Sequence, residues 1–296
     1  MKARPAAARP TAGAAARRSP AAVWRLFRPA RTPMVAMITG TAAFASGADL
    51  RHTLLITLAG LLLSVGGFSL DFYADRHLDA TGPRARNRRN PLATGEVRPV
   101  AGLAFSMSFC CCGLALSAAV SLRSLVPALL VLVIVAGLAL HWFERAIARA
   151  VTLGLLQALY VALGALAGSP DVLAILLGAM FFFAMFGGRG MIDIRDFPLD
   201  APNPVETLPK RFGVRRTAAL TAICLHLAFG ISLAIYFFGD LRPIYLYLDI
   251  PFVAVGLACA WWFALRPSPV LGRVLTMVFM MGEGTLICLA VILGSL

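Results

Sequence analysis

The chain has 296 residues, of which 59% are hydrophobic and only 14% are charged, and its mean hydropathy is +0.82. Soluble domains carry roughly a quarter charged residues, so this composition excludes a soluble globular enzyme, a disordered protein and a disulfide-held scaffold. The net charge of +13 could suggest nucleic-acid binding. However, the basic residues are spread between apolar segments and form no separate basic domain, so nucleic acid is not an expected partner.

Nine apolar segments follow in chain order, and each is about long enough for a helix that crosses a bilayer. They cover residues 33–49, 53–70, 100–120, 124–142, 150–168, 171–188, 214–238, 244–265 and 271–294. Runs this long and this apolar are helices, because only helices or closed barrels satisfy the backbone inside a bilayer. The sequence therefore predicts an all-α, polytopic membrane protein with nine transmembrane helices in one bundle.

The distribution of Lys and Arg predicts the orientation of this bundle. Most of the 27 basic residues precede the first segment or lie in every second connection, whereas Arg51, Arg123 and Arg242 lie on the other side. We therefore expect a cell-membrane protein with a cytoplasmic N-terminus, cytoplasmic site loops and an external C-terminus. Residues 1–22 favour a disordered basic cytoplasmic tail over a transit peptide, which leaves residues 23–296 as the membrane domain.

Two triplets of aspartate stand out in a chain with only 14 carboxylates, and each lies at the predicted cytoplasmic end of a helix. The members are Asp71, Asp75, Asp79, Asp193, Asp196 and Asp200. Spacings of three and four residues keep each triplet on one helix face. Neighbouring carboxylates repel one another, and aspartate is costly in a membrane, so a compact cation is expected between the rows. Oxygen ligands favour Mg²⁺ over zinc; the alternative is a pair of solvated acidic helix ends.

Basic residues follow both triplets, with Arg88 after the first and Lys210 after the second. Mg²⁺ commonly bridges carboxylates to phosphates, while Arg and Lys neutralise the remaining phosphate oxygens. The sequence has no glycine-rich phosphate loop of the nucleotide type, so the phosphates need not belong to a nucleotide. Because the predicted site opens on an apolar bundle in membrane lipid, a lipid-tailed diphosphate is the expected ligand.

These features resemble the UbiA superfamily of intramembrane prenyltransferases, whose members are nine-helix and all-α. The family motif Asn-x-x-x-Asp-x-x-x-Asp falls on residues 71–79, and its second motif, Asp-x-x-Asp-x-x-x-Asp, falls on residues 193–200. The stretches 90–95 and 207–213 are similar to the family's NRPLxSG and TLPxxxG. The first motif departs from the family, since Asp71 replaces its leading Asn. The added negative charge should favour metal or require a nearby Arg.

The resemblance implies an Mg²⁺-dependent enzyme that binds a prenyl diphosphate through two Mg²⁺ ions. The residues implied to be catalytic and metal-binding are Asp71, Asp75, Asp79, Asp193, Asp196 and Asp200. The diphosphate ionises to an allylic cation, and a lipophilic acceptor, such as an aromatic ring or a hydroxyl group, attacks C1. Arg88, Arg145 and Lys210 are expected to contact the diphosphate. His141 and Arg145 keep the spacing of a Tyr and a Lys in related enzymes.

Two other functions fit the pattern less well. In a UbiA-type terpene cyclase, the cation would close on its own double bonds without an acceptor. A cation carrier or channel is less favoured, because transporters usually place their ion sites near the bilayer midplane. Gln157 and Tyr160, in the fifth segment, either join neighbouring helices or line an acceptor pocket. Glu283 either serves an acceptor or a cation or is bonded to a helix neighbour.

Overall fold

The computed structural model describes residues 20–80, 90–143, 145–200 and 206–296, with the backbone alone at 280, 281 and 283. In these ranges the chain is helical and forms no strand, which confirms the predicted all-α class. The helices are α1 Pro20–Leu26, α2 Thr32–Ala45, α3 Leu50–Asp79, α4 Pro99–Val120, α5 Leu122–Ala139, α6 Ala146–Ala165, α7 Val172–Asp200, α8 Leu208–Phe212, α9 Val214–Phe238, α10 Ile244–Leu265, α11 Pro269–Met277 and α12 Gly284–Ser295. A π-helical turn, Val278–Glu283, joins α11 to α12.

Seven of the helices in the described residues are long and apolar enough to cross a membrane, namely α3, α4, α5, α6, α7, α9 and α10. Two shorter apolar helices, α2 and α12, overlap the first and last predicted segments. Many large apolar side chains are exposed on the outside of the bundle, including Leu54, Val126, Ile175 and Phe237. The chain is therefore a multi-pass membrane protein. Of the predicted tail, only residues 20–22 are described, and they begin α1.

Two helices are much longer than their apolar segments predicted. α3 continues from residue 70 to Asp79, and α7 continues from residue 188 to Asp200. Hydropathy detects only the apolar part of each helix, whereas the backbone hydrogen bonds extend through the polar turns that follow. Both aspartate triplets are therefore helical, as their spacing predicted.

Several helix boundaries follow from capping residues and from a glycine. Asp49 accepts a hydrogen bond from the backbone N–H of His52 at 2.8 Å and so caps α3, and Ser268 caps α11 through the N–H of Leu271. Both are the usual N-cap chemistry, in which a side-chain oxygen pairs an otherwise unpaired N–H. Gly213, at φ of 80°, separates the short α8 from α9. Glycine suits this position because residues with a Cβ are strained at positive φ.

α2 and α6 hold α3 and α7 apart. α2 and α6 pack against each other, and each also packs against α3 and α7. Close approach depends on small residues: a Cβ at Gly164 of α6 would lie 2.0 Å from the carbonyl oxygen of Thr39 in α2. Small residues at helix interfaces are a general feature of membrane bundles. This arrangement leaves a space between α2, α3, α6 and α7 at the end of the bundle where α3 and α7 finish.

Candidate active site

The space between these four helices is a cavity of about 970 Å³. Five of the six predicted aspartates line it: Asp71, Asp75 and Asp79 from α3, and Asp196 and Asp200 from α7. Five arginines of the described residues line it as well: Arg28, Arg31, Arg149, Arg189 and Arg195. Two rows of carboxylates thus share one hollow with a similar number of guanidinium groups. The deep part of the cavity is mostly apolar, and Val135, Leu153 and Leu156 contribute to its wall.

Asp71 is paired with an arginine from the segment before α2. A nitrogen of the Arg28 guanidinium lies 2.8 Å from Oδ2 of Asp71. The same guanidinium lies over the ring of Phe72, 3.9 Å from its centroid, which adds a cation–π contact. The extra charge at Asp71 therefore has a nearby Arg, as its sequence position led us to expect.

Asn90 joins the end of α3 to the loop that follows. Its Nδ2 donates to the carbonyl oxygen of Phe72 at 2.7 Å and to Oδ2 of Asp79 at 3.0 Å. Its Oδ1 accepts from the backbone N–H of Leu92 at 3.0 Å. Asn90 is buried, and both the nitrogen and the oxygen of its side-chain amide are hydrogen-bonded. These bonds orient the Asp79 carboxylate at the cavity wall.

The three acids of α7 differ in their surroundings. Asp196 forms two hydrogen bonds with the adjacent Arg195, at 2.8 and 2.5 Å, and Asp200 is buried but lines the cavity. Asp193 is only 2% exposed and is absent from the described lining. One of its oxygens pairs with Arg189 at 2.6 Å, and the other accepts from the N–H of Leu208 at 3.1 Å. Asp193 thus holds a cavity arginine and the start of α8.

The described cations of the cavity are not those that the sequence singled out. Arg145 precedes α6 as its N-cap residue and is exposed, and Lys210 lies on α8; neither belongs to the described lining. Arg88 lies outside the described residues. Arg149, one turn beyond Arg145, lines the cavity instead. A helix-face argument could have found it, because Arg149, Leu153, Gln157 and Tyr160 recur every three to four residues.

Two of the lining arginines, Arg31 and Arg149, have no ion-pair partner in the described part of the chain. Burial, together with the positive charges of Arg28 and Arg195, lowers the pKa of Arg31 to about 10. The side chain therefore stays charged near neutral pH. Both side chains are half-buried. Charges withdrawn from water are normally paired, so two guanidinium groups that line a cavity without an ion pair indicate an anionic ligand.

The carboxylates fit a hard divalent cation by their chemistry. Among the described residues, no three His, Cys, Asp or Glu side chains converge to form a complete ion site on their own. Mg²⁺ rarely needs such a cage, because it is usually held by one or two carboxylates together with waters and substrate phosphates. The donors of α3 and α7 could therefore hold Mg²⁺ when a phosphate group completes the coordination.

Comparison with known proteins agrees with this geometry. A profile described as the UbiA prenyltransferase family matches residues 33–282. A digeranylgeranylglyceryl phosphate synthase from Methanothrix thermoacetophila is 28% identical over 210 residues, which cover 70% of this chain and 77% of the relative. The chain therefore belongs to the UbiA prenyltransferase family.

Solved structures share the fold at lower identity. A structure described as giving insights into digeranylgeranylglyceryl phosphate synthase in membranes superposes with a TM-score of 0.74 at 18% identity, and covers 93% of this chain and 98% of its own. A UbiA homologue from Archaeoglobus fulgidus, bound to DMAPP and Mg²⁺, gives 0.68 at 17% identity, with 89% and 98% covered. At these identities the likeness supports the fold alone.

Proposed function

We propose that this protein transfers a prenyl group from a prenyl diphosphate to a lipophilic acceptor with the help of Mg²⁺. The observation that carries the proposal is the single cavity lined by both aspartate rows and by arginines. The carboxylates suit divalent cations, and the arginines without an ion pair suit phosphate oxygens. The apolar residues in the deep part of the cavity suit a hydrocarbon tail. Family membership and the DMAPP and Mg²⁺ complex of a homologue support this function.

The aspartates that line the cavity would hold two Mg²⁺ ions with the diphosphate, and Asp193 would act by fixing Arg189. The bound ions would supply Lewis-acid stabilisation of the negative charge on the leaving group. Arg31, Arg149 and Arg189 bind the remaining phosphate oxygens and so orient C1 toward the deep half of the cavity. The C1–oxygen bond breaks with its electron pair on the diphosphate; the acceptor then bonds to C1 and loses a proton. Apolar walls exclude water that would quench the cation.

The names of two relatives indicate which acceptor to test first. Their name, digeranylgeranylglyceryl phosphate synthase, makes a glyceryl phosphate lipid the first acceptor to test, ahead of an aromatic ring. We further propose that α2 and the α11–α12 stretch complete nine membrane crossings, with the site end of the bundle in the cytoplasm. Loops rich in Arg at that end support this orientation.

The test uses the full-length protein, purified in detergent or nanodiscs. It is incubated with geranyl diphosphate (GPP) and longer prenyl diphosphates, with Mg²⁺ or EDTA, and with a lipid extract. Release of diphosphate and the mass of the product are measured. We expect Mg²⁺-dependent release and a prenylated lipid. A cyclic hydrocarbon made without acceptor would favour the terpene cyclase, and no release from any prenyl diphosphate would refute the proposal.

A further inference from the structure

The deep end of the cavity carries a polar side chain that the site above does not use. Along one face of α6, Arg149, Leu153, Gln157 and Tyr160 all line the cavity. At a rise of about 1.5 Å per residue, Gln157 lies about 12 Å further along the helix than Arg149. Gln157 is therefore separated from the charged mouth by roughly two helical turns.

The amide oxygen of Gln157 is unpaired. The side chain is 7% exposed, and its Oε1 is buried with no hydrogen-bond partner in the described part of the chain. Buried polar atoms in native proteins are almost always paired, because an unmade hydrogen bond is costly in an apolar setting. An unpaired oxygen on the wall of a substrate cavity indicates that a ligand supplies the missing donor.

A second, smaller space beside Gln157 is apolar. Gln157 lines this recess, which has a volume of about 40 Å³ and lies between α2, α6, α7 and the π-helical turn. Met34, Met185 and Phe279 are among the walls of this recess. Side chains on a helix lean toward its N-terminus, which for α6 is the mouth of the cavity. The Gln157 side chain is therefore expected to lean toward the half of the cavity where the reacting carbon would lie.

The donor substrate cannot supply the missing hydrogen. A prenyl tail is hydrocarbon, and the oxygens of a diphosphate accept hydrogen bonds and belong with the arginines and carboxylates. The second substrate is the remaining candidate. We propose that Gln157 is a specificity-determining residue whose Oε1 accepts a hydrogen bond from an O–H group of the prenyl acceptor. This inference rests on the proposed transferase function and deepens it, since it selects an alcohol or phenol acceptor.

The closing experiment compares three variants with wild type. Gln157→Met removes the oxygen at nearly constant volume, and Gln157→Glu keeps a carbonyl oxygen. Leu155→Met is an apolar control on α6, because Leu155 is exposed and is not part of the described cavity lining. The probes are GPP as donor and, as acceptors, a 1-O-alkylglycerol 3-phosphate, which has one free hydroxyl, and 4-hydroxybenzoate. For each acceptor that wild type prenylates, we measure kcat, the KM for acceptor, the KM for GPP and diphosphate release without acceptor.

We expect Gln157→Met to raise the acceptor KM about tenfold, with the KM for GPP and acceptor-free release within about twofold of wild type. Gln157→Glu should recover part of the acceptor affinity, and Leu155→Met should change it little. Thermal unfolding in the presence of GPP checks that each variant is folded. An acceptor KM for Gln157→Met equal to that of Leu155→Met would overturn this inference alone. So would diphosphate release by wild type in which neither acceptor is prenylated. No diphosphate release by wild type would remove the proposed function as well.

Discussion

The aspartate rows of α3 and α7 have nearly the same spacing but different surroundings. All three acids of α3 line the cavity, and two of them are bound by residues outside the helix, Arg28 and Asn90. On α7, Asp196 and Asp200 line the cavity, whereas Asp193 is buried against Arg189 and the start of α8. Equal spacing therefore does not give equal surroundings: two acids of the second row line the cavity, and Asp193 is buried beside it.

The largest effect should come from a cavity carboxylate in either row. Asp75→Asn and Asp196→Asn each remove a charge that would hold Mg²⁺ against the diphosphate. We expect each to slow diphosphate release at least about 100-fold, in the range found when one stabiliser of developing charge is lost. Steady-state assays with GPP at saturating Mg²⁺ measure this. Activity above a tenth of wild type in both variants would contradict the role of the rows.

Asp193 should respond differently, in stability rather than in metal binding. Asp193→Asn leaves the half-buried Arg189 guanidinium without its carboxylate, and the loss of one partner from a largely buried ion pair costs up to about 3 kcal/mol. Thermal unfolding in detergent should show a clear loss of stability. Asp171→Asn is the matched control, because Asp171 precedes α7 at the end opposite to the site. Its side chain accepts a hydrogen bond from the N–H of Ala174, and Asn fills this capping role equally well. Equal stability of the two variants would refute the supporting role.

Two arginines lie at the start of α6. The sequence predicted that Arg145 contacts the diphosphate, whereas the structure places Arg149 in the cavity lining. Arg149→Gln removes an unpaired cavity cation and should raise the KM for GPP about tenfold or more, since charge-assisted hydrogen bonds are the strong ones. Arg145→Gln removes an exposed charge, so its KM should stay within about twofold of wild type. The reverse order would show that Arg145 is the residue that contacts the diphosphate.

Much of this architecture was predictable from the sequence because its signals are local. Long apolar runs predicted the helices, and spacings of three and four residues predicted that each triplet shares a face. The surroundings of Asp193 were not predictable, because one of its contacts is with the N–H of Leu208, fifteen positions away in the chain. Arg149, in contrast, could have been found from the helix face that it shares with Leu153, Gln157 and Tyr160.

The smallest effect is expected at the departure from the family motif. Asp71→Asn restores the family residue but removes the partner of Arg28, which keeps its contact with the ring of Phe72. We expect activity within about fivefold of wild type, because the amide oxygen of Asn still offers a ligand at this position and a partly exposed ion pair contributes little. The double variant Asp71→Asn with Arg28→Gln measures the coupling of the pair. A 100-fold loss in Asp71→Asn alone would instead make Asp71 an essential ligand.

The most direct test of the central claim is the binding of GPP at equilibrium, with Mg²⁺ or with EDTA, to wild type, Asp75→Asn, Asp196→Asn and the double variant. If both rows hold one metal-bound diphosphate, wild type binds GPP tightly only with Mg²⁺. Either single substitution then removes most of that affinity, and the double variant is little worse than the single variants, because the residues act as a unit. Equal affinity in EDTA, or a loss caused by one helix alone, would contradict a diphosphate shared between α3 and α7.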